Sequence, residues 1–194
     1  MTQWEHLTGI ARQMVREPRE ATRALLAVQL PAGVLAPAFV VVMILSVLVT
    51  EPLLTIAATV LPGDPMAPLP RALGSIAGGL AVVWVITKLG TTFGGDGRFD
   101  QALLVFIFLE LIFSVGVIAL LVLTALLPYL AGLAAIAFGV YWLWMFAVAL
   151  DEVFGLASPW KAFGLVIVSW VIVNYASLLI LNLMAGIFGG PSNV

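Results

Sequence analysis

The sequence predicts an all-α, polytopic membrane protein: a bundle of five transmembrane helices preceded by an N-terminal amphipathic helix lying in the membrane plane. Three observations predict it. Hydrophobic residues make up 63% of the 194 residues and charged ones only 9%, against about 45–50% and about 25% in soluble domains; so little charge cannot coat a soluble surface. Five stretches stay apolar for about 18 residues or more, enough to cross a bilayer. Polar connections rich in Pro and Gly separate most of them. Residues 1–30 form a cytoplasmic-side amphipathic segment on this reading, and residues 31–190 the transmembrane domain.

At about 100° per residue, residues 2–17 place Trp4, Leu7, Ile10, Ala11, Met14 and Val15 on one side of a helix and Glu5, Arg12, Gln13 and Arg16 on the other. Trp favours the headgroup region and Arg favours anionic lipid. Trp4, Leu7, Arg12, Met14 and Arg16 therefore read as a membrane-interface helix, with packing on a protein surface as the alternative. Seven charges between Glu5 and Arg23 are too many for a signal peptide, so the segment is expected to stay on the mature chain. Glu17-Pro18 ends this helix, and Pro18 opens a second one at its first position.

After Pro31 the first span is expected over about 32–50, with Pro37 as a possible kink in its first turns and Glu51-Pro52 as its end. Prolines at 52, 62, 65, 68 and 70 exclude one helix across residues 52–70. Leu53–Leu61 is expected in the interface, with a turn at Gly63-Asp64-Pro65. The second span, about 71–88, holds Gly74 and Gly78, a spacing that lets helices approach closely. They are read as a packing face within the chain.

A polar hairpin follows, carrying Lys88, Gly94, Gly95, Asp96, Gly97 and Arg98; its glycines permit left-handed backbone in a tight turn. It lacks the Lys-Ser/Thr of a phosphate loop and the ligand spacing of a calcium loop. The third and fourth spans, about 101–127 and 128–150, meet at Pro128-Tyr129. Ala131, Ala135 and Gly139 line one helix face for packing, and Tyr141, Trp142 and Trp144 resemble an interfacial belt. Residues 151–161 form a polar connection. Ser158 and Pro159 then start the fifth span, about 160–188, as N-cap and first helical residue, and Gly189-Gly190-Pro191 ends it.

Five spans put the two ends on opposite sides. With the N-terminus cytoplasmic, the inside segments carry Arg12, Arg16, Arg19, Arg23, Lys88, Arg98 and Lys161, and the outside carries Arg71 alone. The positive-inside rule therefore places the N-terminus in the cytoplasm and the C-terminus in the periplasm.

The layout, with the segments EPREATRALL (Glu17 to Leu26) and FGGDGRFDQAL (Phe93 to Leu103), resembles the Yip1 family of small five-span membrane proteins, its bacterial members in particular. Eukaryotic relatives bind prenylated Rab GTPases and carry a DLYGP-type motif in a longer hydrophilic N-terminus. That motif is absent here, so the resemblance does not imply Rab binding. An inner-membrane location in a bacterium is the expectation that follows.

Little in the sequence points to chemistry. Cysteine is absent and His6 is the single histidine, so no catalytic residue, metal site or cofactor is expected. A net charge of −2 gives no reason to expect nucleic acid. Glu110 stands out, because a charge deep in a span costs roughly 2.5–3.5 kcal/mol on insertion scales. It reads either as a proton, cation or docking site, with Lys88 within reach, or as a protonated side chain bonded to a neighbouring helix. Asn174 and Asn182 are further intramembrane polar residues, and Asn174 near mid-span is a plausible partner for Glu110. The expected role is a non-enzymatic scaffold, adaptor or accessory subunit whose partners are the lipid bilayer and other membrane subunits or itself. The alternative is an oligomeric small channel or transporter with Glu110 in its pathway.

Overall fold

The computed structural model describes residues 3–28, 33–58 and 68–188. Its helices are α1 (Gln3–Arg16), α2 (Pro18–Leu26), α3 (Leu35–Ala58), α4 (Pro68–Thr92), α5 (Phe99–Leu126), α6 (Pro128–Phe154) and α7 (Pro159–Phe188). Among the described residues there is no strand, and five of these helices, α3 to α7, are long and apolar enough to cross a membrane. The protein is an all-helical, multi-pass membrane protein. Pro31, the expected turn at Gly63-Asp64-Pro65, the expected stop at Gly189-Gly190-Pro191 and the side chain of Trp4 lie outside what is described.

The spans close into a ring in the order α3, α4, α7, α6, α5, with α4 also reaching α5. Helix α2 lies across the C-terminal part of α6 and touches α5, while α1 folds back along α2. The well-buried core is gathered at that end: Leu103, Val105 and Leu109 of α5, Leu150 and Phe154 of α6, and Leu165 of α7. The opposite halves of α5 and α6 expose Val122, Leu126, Leu130, Leu133 and Ile136. Such surface has no stable place in water and suits hydrocarbon, where a helix satisfies its own backbone.

Several boundaries differ from the expected ones. Pro52 does not end the first span; α3 runs through it to Ala58. A proline inside a transmembrane helix is tolerated where neighbouring helices and Ser/Thr side chains compensate. Pro52 leaves the Leu48 carbonyl without its helical donor, while Thr50 donates to the neighbouring carbonyls of Ser46 and Val47, and Thr55 to that of Glu51. Glu51 is held by an ion pair with Arg71 of α4. Pro37 falls in the first turn of α3, where a backbone N–H has no intrahelical partner to lose. Lys88 belongs to α4 and not to the hairpin loop, because α4 continues to Thr92 with Thr87, Thr91 and Thr92 bonding back to its own carbonyls. Asp151 and Glu152 are likewise in the last turn of α6 and not in a connection.

The packing glycines also differ. An added Cβ at Gly74, Gly78 or Gly139 meets nothing within 4 Å among the described residues, so these positions are not close-approach points there. Ala131 is buried but Ala135 is exposed. Close approaches within the spans are instead at Gly79, whose Cβ would lie 3.2 Å from Phe39 and Met43 of α3, at Gly90, and at Gly116, whose Cβ would run into the Phe138 ring. Periodicity marks which glycines share a face but not which face meets a neighbour.

Candidate functional site

The hairpin between α4 and α5 is built around one side chain, Phe154, which is fully buried at the C-terminus of α6. A Cβ at Gly90 or Gly97 would sit 2.7 or 2.5 Å from its ring, and one at Gly95 only 2.8 Å from its carbonyl oxygen. The backbone N–H of Asp96 donates to that carbonyl at 3.2 Å. Only Gly94, at φ +85°, uses the left-handed freedom expected of the hairpin; Gly95 and Gly97 are glycines because a ring and a backbone press on them. Arg98 then starts α5, its N–H donating to Gln101 Oε1 at 3.0 Å and its side chain pairing with Asp100 at 2.9 Å.

Asp151 organises the same end. It is 4% exposed. Oδ2 accepts from Arg19 of α2 at 2.5 Å, and Oδ1 accepts from the backbone N–H of Ser158, which precedes α7, at 2.8 Å. One carboxylate thus ties α2, α6 and the start of α7. A turn later, Arg23 grips Glu152 with two hydrogen bonds, 2.6 and 3.1 Å. That hydrogen bond and the charge of Glu152 hold the Arg23 guanidinium above its ordinary pKa. The EPREATRALL segment is therefore a strap whose two arginines read the acidic end of α6. Bidentate arginine–carboxylate pairing fixes geometry as well as charge.

The stripe assigned to the membrane interface is divided. Ile10 and Met14 are buried under α2, with the Thr22 hydroxyl 3.8 Å from the Met14 sulfur. Met14 therefore packs on protein, not lipid. Arg12, Val15 and Arg16 are exposed, Leu7 is half-buried, and the Tyr141 hydroxyl donates to the carbonyl of Val15. Trp142, read as part of an interfacial belt, is half-buried and packed between Phe113 and Phe146, with centroids at 5.2 and 5.5 Å.

Glu110 lies about 16 Å along α5 from Phe99 at about 1.5 Å per residue. Its partner is neither Lys88 nor Asn174 but Ser46 of α3, whose hydroxyl donates to Oε1 at 2.5 Å. Asn174 and Asn182 donate to their own helix, to the carbonyls of Trp170 and Leu178, each at 2.8 Å. Beside Glu110 a cavity of about 410 Å³ is lined by Val82 of α4, Phe106 of α5, Trp142 and Phe146 of α6 and Val166 of α7. Ile167 and Trp170 complete its wall and are themselves exposed, so it opens sideways on the surface of the bundle. Among the described residues no group of three metal-ligating side chains converges anywhere.

Sequence reasoning singled out Glu110 and the glycine hairpin but missed Ser46, Asp151 and Phe154. The signal for Asp151 was present: an acidic pair at the C-terminus of one helix facing two arginines at 19 and 23, one turn apart. Ser46 carried no signal, since a serine in an apolar run ordinarily bonds its own helix.

The Yip1 domain model matches residues 12–181 of the chain, covering α2 to α6 entirely and most of α7. No curated protein and no solved structure matches it.

Proposed function

We propose, from the premise that this chain belongs to the Yip1 family, that it is a non-enzymatic adaptor or accessory subunit that docks another membrane protein in a bacterial inner membrane. The observation that carries this reading is the glycine face of α4. Gly74 and Gly78 are one turn apart on a span, and neither meets a neighbour among the described residues, whereas Gly79 beside them does. Without a hydrophobic force between helices in lipid, association depends on close backbone approach, which small residues allow. An open Gly-x-x-x-Gly face is thus a fitting surface for a partner helix. The polar groups of the spans support the same reading: Glu110, Asn174 and Asn182 are bonded within the chain, and the cavity walls beyond Glu110 are apolar and aromatic, which does not favour a continuous polar path.

Replacing Gly74 and Gly78 together with leucine is expected to abolish copurification of a stoichiometric partner from native membranes. Stability should change by no more than about 0.5 kcal/mol, since both positions face open space. Undiminished recovery of the partner would remove this face from the reading. Solute flux through liposomes containing the purified chain alone would favour the channel or transporter instead.

The end that gathers α2, the start of α5 and the start of α7 also carries Arg19, Arg23, Arg98 and Lys161, which supports its placement in the cytoplasm. A reporter fused before Met1 should be cytoplasmic and one fused after Val194 periplasmic. Both ends on one side would overturn this orientation.

A further inference from the structure

The cavity beside Glu110 combines three features that no packing role requires together. Its volume, about 410 Å³, is that of a small-molecule site, which runs about 300–1,000 Å³. Its wall carries the rings of Phe106, Trp142, Phe146 and Trp170 and a single acidic group. Its mouth, at Ile167 and Trp170, faces outward from the bundle, where lipid-dissolved molecules can reach it.

Ser46 occupies Oε1 of Glu110, and among the described residues Oε2 accepts no hydrogen bond and no cation pairs with the carboxyl. Lys88, the basic residue expected to reach it, is exposed near the end of α4. We propose that this cavity binds an amphiphilic organic monocation, with its charged centre against Glu110 and its apolar body among the aromatic rings. Charge complementarity selects the occupant. A bound cation stabilises the ionised form of the buried carboxyl, and aromatic faces attract it further; a neutral lipid offers no such pairing, and an anion is repelled by any negative charge there. This site needs no partner protein, although Val82 of its wall lies one turn beyond Gly78 on α4.

The test uses the purified full chain in nanodiscs of zwitterionic lipid, with empty discs as background. Tetraphenylphosphonium and tetraphenylborate are the probes, because they share size and shape and differ in the sign of charge. Saturable phosphonium binding near one per chain is expected, weakened at least tenfold in Glu110→Gln, with no saturable borate binding. Glutamine keeps the hydrogen bond to Ser46, and an unchanged thermal midpoint verifies that the variant is folded. Should the variant not fold, cation-over-anion selectivity in the parent chain decides. Borate binding as well as phosphonium, undiminished phosphonium binding in folded Glu110→Gln, or no saturable binding in the parent would each overturn the proposal.

Discussion

Phe154→Ala is expected to be among the most damaging single substitutions in this chain, lowering stability by about 3–5 kcal/mol. The ring is fully buried where α4, the hairpin, α5 and α6 meet. Deleting it removes the ring contacts of Gly90 and Gly97 at once, and backbone that is held by the Asp96–Phe154 hydrogen bond cannot collapse freely into the space. The converse change makes the same point. Gly97→Ala would put a methyl 2.5 Å from the ring and 2.7 Å from the carbonyl of Val153, and overpacking of this kind costs about 1–3 kcal/mol. Thermal unfolding in detergent measures both. In the Phe154→Ala background Gly97→Ala should cost less than it does alone, because the methyl then has room beside the missing ring. Equal costs in the two backgrounds would mean that the ring and the hairpin are not coupled.

Asp151→Ala is expected to cost about 2–3 kcal/mol, below the 3–5 kcal/mol of breaking a fully buried pair. The discount reflects Arg19, whose side chain is 47% exposed and can turn to water. The larger part of the loss is the Ser158 N–H, which is left without its acceptor at the start of α7. Because α2 leans on α6 through Arg19 and Arg23, the variant should also release the strap. Limited proteolysis reads this as faster cleavage between residues 16 and 28. Arg19→Ala should release the strap but leave most of the stability, since Asp151 keeps its bond to Ser158. If Asp151→Ala matched the parent in both stability and cleavage, the carboxylate would not be what ties α2 to the bundle.

The fold class was legible because it follows from composition and span length, which depend on no contact between helices. Five apolar runs in a chain with 9% charge leave few other arrangements. Helix ends were less legible, for a physical reason visible at Pro52 and Lys88. A proline costs a membrane helix one backbone bond without ending it, Arg71 pairs with the Glu51 that precedes Pro52, and Lys88 is exposed, so its charge interrupts nothing. The candidate sites were legible only as residue types. Glu110 is conspicuous in any reading of an apolar run, but its bond to Ser46 depends on how α3 meets α5, which no periodicity encodes. Likewise the glycines of the hairpin announced a turn, while the ring that demands them sits 57 residues after Gly97 in the chain.

Gly74 and Gly78 show the same limit from the other side. A Gly-x-x-x-Gly pair reads as a packing face, and only the structure separates it from Gly79, the glycine that α3 presses on. That separation is what leaves the Gly74–Gly78 face open for the proposed partner helix. Photocrosslinking tests it directly: a photoreactive amino acid at Leu73 or Ala77, on the exposed side of α4, is activated in native membranes. The adaptor reading predicts one discrete protein adduct from these positions and none from Val122, on the exposed side of α5. Adducts to lipid alone at all three positions would contradict it.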